Sequence, residues 1–556
     1  HPEFNIEKIN YEDQKVYELL SSGKTVGLFQ LESSGMKDAL INMKPNRLED
    51  IIALVALYRP GPMSNIPIYN ECKHGKREPD YLHPKLEQIL KPTYGVIIYQ
   101  EQVMQIAQIL SGFTAGEADI LRRAMGKKKR AELEKQKQRF VEGAYKNGID
   151  KEIAAGIFLK IEPFAEYGFN KSHAAAYAVI AYQTAFLKTY YPHEFFVASM
   201  SMELSNQRKL SEFYEELKRL EISVKRPDIN YSYSDFFSDR KNLYYALGAI
   251  KNVGSEAISN VVKERESNGK FKSILDFVER VNPKDINKLQ LEGLVQAGAF
   301  DNLYQNRCSL FDAIPNLILK SKNLHENKTN NQIDLFKEDE KKELNFFNDL
   351  EDWNTELKLT KEFETLGFYI SDHPLNQYKS IFNQYNIITY EDFDSNNNIL
   401  SSNIACTVLK VQEKKTSKGN SYAIVKLSDL KSTFELFIFS EIFEQNRNIL
   451  IEGNSLMITL IKNYTNEKKN EKKTNVKKIL SIKDVINKQI DKIHFVFNNL
   501  DDLNKLEKLS KKEGKTRVKF SYIAQDKELV FELDDLRNID YKLINSLNLK
   551  ENILID

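Results

Sequence analysis

The chain of 556 residues carries 80 Lys+Arg against 79 Asp+Glu, a formal net charge of +1, with 41% hydrophobic and 29% charged residues. That length exceeds one ordinary core and predicts about three or four globular domains, and the balanced charge means that any case for nucleic-acid binding must be made locally. Its three cysteines, Cys72, Cys308 and Cys406, offer no CxxC or Cys/His metal spacing, which argues against a disulfide framework and fits a reducing cytoplasm.

Apolar runs such as Ile51–Tyr58 are too short to cross a bilayer, and His173–Leu187, interrupted by Gln183, reads as a buried helix, so no membrane partner is expected. The opening HPEFNIEKIN has neither a Met nor a signal peptide. It is what a piece beginning partway through a larger protein would show.

Residues 1–235 read as mainly helical. The turn Arg59–Pro62 stops the apolar run before it, because proline cannot continue that helix. GVIIYQEQVMQIAQIL predicts a short strand and then a helix with Val103, Ile106 and Leu110 on one face. Next comes LRRAMGKKKR, Leu121–Arg130, with six cationic side chains in ten residues. Ala118, Leu121 and Met125 share a helix face, and neighbouring residues of a helix differ by about 100°. One of Arg122 and Arg123 can therefore face a ligand while the other steadies the fold. Gly126 allows a turn, and Lys127, Lys128 and Lys129 precede a second helix whose start is electropositive. Arginine forks and ammonium groups suit a triphosphate or a nucleic-acid backbone; a solvated basic face fits the same residues. In YGFNKSHAAAYAVIAYQ, Gly168 and the polar Asn170, Lys171, Ser172 and His173 precede a buried helix for which Ser172 is the expected N-cap. These residues are either a cap with surface side chains or a polar cluster presented to a ligand.

In residues 236–301, Gly248 and Gly254 bracket a tight turn in LGAIKNVGSEAI. Residues 302–350 turn polar and predict a flexible linker. Residues 351–401 form a helical connector, 402–483 alternate as strands, and 490–556 mix strands with short helices. In STFELFIFS, Phe434, Leu436 and Ile438 point one way, and Glu435, Phe437 and Phe439 the other.

LFQLESSGMKDAL, LYRPGP, YGVIIYQEQVMQIA, LRRAMGKKK and FAEYGFNKSHAAAYA, in this order and spacing, resemble the α subunit of bacterial DNA polymerase III, the C-family replicative polymerase. The resemblance implies a multidomain α+β fold. Residues 1–235 would be a mainly helical fingers domain and 236–301 a helix-hairpin-helix module. An OB-fold β-barrel would follow at 402–483, and a small α+β domain that binds the clamp-loader subunit τ at 490–556. It places Arg122, Arg123, Lys127, Lys128, Lys129, Asn170, Lys171 and His173 around the phosphates of an incoming dNTP, with Arg59 and Gln100 in the same surroundings. Gly248, Val253, Gly254 and Ser255 would meet DNA backbone, and LVQAGAF would be the second half of a paired hairpin. Tyr422, Phe437 and Tyr464 would stack on single-stranded DNA, with Phe439 as a further candidate and the loop KNYTNEKKNEKKTNVKK supplying charge.

QIDLF in the polar tract resembles a sliding-clamp-binding peptide. Leu335 and Phe336 would fill an apolar pocket, with Gln332 at its edge and Asp334 between them. An apolar pin docking on its own domain is the other reading of that pair.

Polymerase chemistry needs two metal ions on carboxylates, Mg2+ in this family, which places them on a palm domain. Neither Asp235 and Asp239, nor Asp501–Asp502, nor Asp534–Asp535 forms the expected Asp-x-Asp pair on an apolar strand. The resemblance is thus to a C-terminal portion lacking the palm. Such a chain would serve a DNA-directed DNA polymerase, a nucleotidyltransferase, in primer-template replication, and would be inactive alone. A non-enzymatic DNA-binding or clamp-tethering module is the alternative. An ATPase or helicase lacks the GxxxxGK[ST] motif here.

Overall fold

The structure, a computed structural model, describes residues 3–126, 130–329, 347–382, 385–396, 398–416, 419–466, 471–487, 492–497, 513–524, 527–539 and 553–555. The chain divides into two compact units. The first comprises His1–Glu203, Glu212–Ser223 and Ser238–Leu243; the second holds the remainder.

The first unit is helical, as its periodicity predicts. Five helices matter to the site: α1 (Gln100–Ser111), α2 (Ala115–Gly126), α3 (Arg130–Lys146), α4 (Lys151–Tyr167) and α5 (Lys171–Tyr190). Val103, Ile106 and Leu110 of α1 are buried with Ala118, Leu121 and Met125 of α2, Phe140 of α3 and Phe158 of α4 in one core. On α5 the buried Ala174, Ala178, Ala181 and Ala185 recur at i, i+4, i+7 and i+11, along one face. This stripe of small side chains lets the apolar helix Leu48–Leu57 pack closely against it. The strand expected before α1 is reduced to a single parallel bridge, Tyr99 to Phe169.

The cap of α5 differs from expectation. Asn170, in extended backbone, accepts the His173 N–H at 2.8 Å, and the helix begins at Lys171, so Ser172 lies inside the first turn. Asparagine caps as well as serine does, and the chain simply turns helical two residues sooner.

In the second unit, a 3-10 turn at Leu247–Ala249 leads into α6 (Ser255–Asn268), with Gly254 at φ +78° as its N-cap. The helix Lys288–Gln296 packs against this turn through Gly293, where an added Cβ would lie 2.9 Å from the Lys251 carbonyl.

The expected linker is partly wrong. Arg307–Thr329 forms a 23-residue helix, α7, in which Leu310, Ala313, Ile314 and Leu317 are buried. The Lys/Asn-rich composition of its exposed side hid that apolar face. The connector holds a helix at Thr355–Leu366, a 3-10 segment at Pro374–Ile381 and a helix at Tyr390–Ser395.

Strands β1 (Ser401–Lys415), β2 (Ser421–Ser428), β3 (Thr433–Ile438), β4 (Ser455–Asn466) and β5 (Glu471–Ser481) pair antiparallel in the order β3-β2-β1-β4-β5. Among the described residues no pairing joins β3 to β5, so the expected barrel is an open sheet. It curls around one core to which Leu436 and Ile438 at one end and Val476 and Ile479 at the other both contribute. The last four strands, β6 (Lys492–Phe497), β7 (Glu513–Ala524), β8 (Lys527–Glu532) and β9 (Ile553–Ile555), form a second sheet, ordered β8-β7-β6-β9. Phe495 and Phe497 of that sheet share a core with Leu375 and Ile381 of the connector and Met457 of β4. The C-terminal region is therefore continuous with its neighbours rather than a separate core.

Candidate nucleotide and DNA interface

Arg122 and Arg123 stand one after the other on α2, one turn beyond Asp119. The Oδ1 of Asp119 accepts from Arg122 Nε at 3.0 Å and from its Nη2 at 2.7 Å. Its Oδ2 lies 2.8 Å from Arg123 Nε. Arg122 is the more enclosed of the two, with 26% of its side chain exposed against 65% for Arg123. Arg122 is thus the more tethered and Arg123 the more solvent-facing, the division expected from their 100° offset. The carboxyl of Asp119 is held below the usual carboxylate range, foremost by its hydrogen bonds from Arg122.

Gln100, the first residue of α1, joins this pair to the second motif. Its side-chain oxygen accepts from Arg122 Nη1 at 3.2 Å, while its backbone N–H donates to the Phe169 carbonyl at 3.0 Å. Phe169 N–H returns a hydrogen bond to Ile98 at 3.1 Å. The guanidinium of Arg59 lies over the Phe169 ring at 4.2 Å.

Glu101 completes the junction. Its carboxylate accepts from Asn170 Nδ2 at 2.8 Å and from the Lys171 backbone N–H at 3.0 and 3.1 Å. It thereby occupies the electropositive start of α5. His173 sits between the rings of Phe169 and Tyr177, with centroids 5.3 and 4.6 Å away, and Lys171 Nζ lies 5.6 Å from the Tyr99 ring. Asn170, Lys171 and His173 are all exposed.

The two motifs of the sequence reading therefore meet. Arg122, Asn170 and Lys171 meet the start of α1 through Gln100 and Glu101; Arg59 and His173 lie against Phe169 beside it, and Arg123 is joined to Arg122 through Asp119. Lys127, Lys128 and Lys129 lie outside the described residues, as do Gln332, Asp334, Leu335 and Phe336. Reading the sequence missed Asp119, Glu101 and Phe169. The i, i+3 and i, i+4 spacing of Asp119 from the two arginines was a visible signal; nothing local links Glu101 to residues about 70 positions away.

In the second unit, Gly254 and Ser255 open α6, whose 14 residues end at Asn268. Val253 does not fit its expected role. It is buried, its N–H donates to Ile250 at 3.1 Å, and its carbonyl accepts from Gln290 at 2.6 Å. The turn consumes both backbone groups, leaving none for a phosphate. Gly248 packs tightly, and an added Cβ there would meet the Ser234 carbonyl at 2.6 Å.

Phe437 on β3 and Phe439 just beyond its end are 55% and 50% exposed, and Lys473 lies 5.4 Å from the Phe439 ring. Phe434 is buried and stacks on Tyr390 at 4.0 Å. Tyr422 is partly buried and pairs with Lys414; the Tyr464 backbone pairs with Lys472, while its side chain lies outside the described residues.

The described residues do not suit a catalytic Mg2+ centre. Among the described residues no group of three or more His, Cys, Asp or Glu side chains is placed to hold a metal ion. Asp119 is committed to the two guanidinium groups, and Glu101 to the Asn170 side chain and the Lys171 backbone N–H. Nor is any helix among the described residues long and apolar enough to cross a membrane.

Comparison with known proteins accords with this geometry. Residues 1–148 match the bacterial DNA polymerase III alpha subunit finger domain, and residues 221–310 match a helix-hairpin-helix motif that encloses the 236–301 region. The class is thus a polymerase fingers region followed by a helix-hairpin-helix.

A DNA polymerase III subunit alpha from Caulobacter vibrioides is 43% identical over 458 residues, covering 82% of this chain and 40% of that protein. The one from Borreliella burgdorferi is 39% identical over 554 residues, covering 97% of this chain and 48% of that protein. The Rickettsia bellii protein of the same name is 44% identical, covering 82% of this chain and 41% of its own length. The chain belongs to the bacterial DNA polymerase III alpha-subunit family, as a C-terminal portion, and spans about half the length of the curated relatives it matches.

Proposed function

We propose that this chain is the part of a replicative DNA polymerase that receives the incoming dNTP and grips primer-template DNA. The observation that carries the proposal is Gln100, which ties the arginine pair of α2 to the Phe169–His173 segment. Cationic and hydrogen-bonding groups from two distant motifs then face one place, as a triphosphate requires. Asn170, Lys171 and His173 would complete the pocket, and Lys127–Lys129 would join them on the strength of the sequence. The catalytic Mg2+ ions would sit on palm carboxylates outside this sequence, so the chain alone is expected to bind nucleotide without transferring it.

The test is binding of a fluorescent dNTP to the parent and to an Arg122→Ala/Arg123→Ala variant. Charge-assisted contacts are worth about 1.5–3 kcal/mol each, so a loss of tenfold or more is expected. Equal binding would sink the assignment and favour a clamp-tethering module.

The DNA-facing groups in this reading are Gly254 and Ser255 at the start of α6, Phe437 on the curled sheet and Phe439 just beyond β3. Gln332–Phe336 would anchor the sliding clamp, on the strength of the sequence, and residues 490–556 would meet τ. Retention on immobilised clamp by the parent but not by Leu335→Ala/Phe336→Ala would support the anchor. Retention of both would place clamp binding elsewhere.

A further inference from the structure

Asp119 is the one carboxylate that touches both arginines among the described residues. Its two oxygens are divided between them, Oδ1 to Arg122 and Oδ2 to Arg123. Those are inner-edge contacts, made through both Nε atoms and one Nη. A phosphate ligand approaching the pair meets a negative charge already seated between its two anchors.

We propose that Asp119 is a built-in counter-anion that holds down the affinity of the arginine pair for polyphosphate and so keeps the ligand's release fast. The inference rests on the nucleotide-binding reading above. It competes with the view that Asp119 aims the two guanidinium groups, in which case its loss would weaken binding.

Magnitudes decide between them. Removing one negative charge acts on every charge of a polyphosphate at once. Losing the aim of Arg123 costs only the rotamer freedom of one mostly exposed side chain. Arg122 also keeps its bond to Gln100 at 3.2 Å, so its orientation does not depend on Asp119 alone. The counter-anion effect therefore outweighs the positioning effect, and because it acts within the bound state, it appears mainly in the dissociation rate.

Glu117 provides an internal control. It stands on the same helix, two residues before Asp119, but pairs with Arg139 instead. A Glu117→Gln variant changes the net charge as Asp119→Asn does, without touching the arginine pair.

The experiment is binding of sodium tripolyphosphate, by calorimetry and stopped flow, to the parent chain, Asp119→Asn and Glu117→Gln at one fixed salt concentration. Asp119→Asn should bind roughly tenfold tighter, mostly through slower release, and Glu117→Gln less than about threefold tighter. Weaker binding by Asp119→Asn overturns the inference and makes Asp119 a positioning residue, and equal binding overturns it with neither role, while parent binding still upholds the nucleotide site. Equal tightening by both variants also overturns it, leaving only a general field effect. No binding by any of the three removes the nucleotide reading and the inference together.

Discussion

The guanidinium of Arg59 stands 4.2 Å from the ring centroid of Phe169. This contact joins the Arg-Pro-Gly-Pro turn to the segment that caps α5. A cation–π contact is worth about 0.5–2 kcal/mol, more when shielded from water. Phe169→Leu keeps an apolar side chain but removes the ring face. It should lower the unfolding free energy by about 1 kcal/mol in a urea titration and weaken dNTP binding several-fold. Lost stability with unchanged nucleotide affinity would make the stack purely structural.

Gln100 offers a sharper test of how the pocket is assembled. Gln100→Ala keeps the backbone bond to Phe169 and deletes only the acceptor for Arg122. A hydrogen bond to a charged group is worth about 1.5 kcal/mol at the low end, so dNTP affinity should fall roughly tenfold with little change in stability. Affinity equal to that of the parent would show that Asp119 suffices to place Arg122.

Two glycines of the hairpin region should respond differently to alanine. At Gly254 an added Cβ meets nothing within 4 Å, and the cost is the positive φ alone, about 1–2 kcal/mol. At Gly248 the added atom would lie 2.6 Å from the Ser234 carbonyl and 3.0 Å from Ser255 Cα, so backbone must move. Gly248→Ala should be the more destabilising of the pair by thermal unfolding, and the reverse order would refute this packing. Both should weaken binding to duplex DNA.

Lys188 and Glu216 form an ion pair at 2.7 Å, with 0% and 1% of their side chains exposed. Lys188 Nζ also donates to the carbonyls of Lys24 at 2.8 Å and Val26 at 2.9 Å. Lys188→Met leaves Glu216 with Arg219 at 3.2 Å and should cost about 3–5 kcal/mol. Burial, opposed by Glu216, pushes the Lys188 ammonium down to about 8 from 10.5. Between those values the unfolded chain binds more protons, so the lysine's contribution to stability rises with pH there. The stability of the parent relative to Lys188→Met should therefore grow from pH 8 to 10; a flat or falling difference would contradict the assignment.

Glu362 presents the opposite sign. Its Oε1 accepts from the N–H groups of Ile370 at 2.7 Å and Ser371 at 2.9 Å. Its Oε2 is buried without a partner among the described residues, as is the Tyr245 hydroxyl. Burial raises this carboxyl above its ordinary value. The folded chain then holds the proton more firmly than the unfolded one, so ionisation becomes a cost as pH rises above the usual carboxylate range. Glu362→Gln keeps the acceptor for both N–H groups. It should match the parent near pH 4 and exceed it in stability at pH 7, as measured by denaturant midpoints.

What the sequence disclosed follows from the range over which each signal acts. Val103, Ile106 and Leu110 are all fully buried, and Phe434, Leu436 and Ile438 are buried while Phe437 is exposed. Those faces are set by local period, which a single sequence carries. The α7 helix was obscured because its polar residues dominate a composition count, although Leu310, Ile314 and Leu317 keep a helical spacing. Val253 was misassigned because whether a turn's N–H groups are free depends on the turn's own hydrogen bonds. Glu101 on the Asn170–Lys171 backbone, and Gly293 against Lys251, join residues far apart in the chain, and no local pattern announces them.

The parallel bridge between Tyr99 and Phe169 also bears on how the protein comes into being. Two backbone hydrogen bonds close a loop of about 70 residues, at an entropic cost that rises only slowly with loop length. During synthesis both arginines leave the ribosome well before Phe169 does. A nascent chain cut short after α3 would carry the cationic stretch yet lack the segment that Gln100 must meet. The proposed nucleotide site should thus become competent late and abruptly as the chain lengthens, with the basic residues waiting on a partner not yet made.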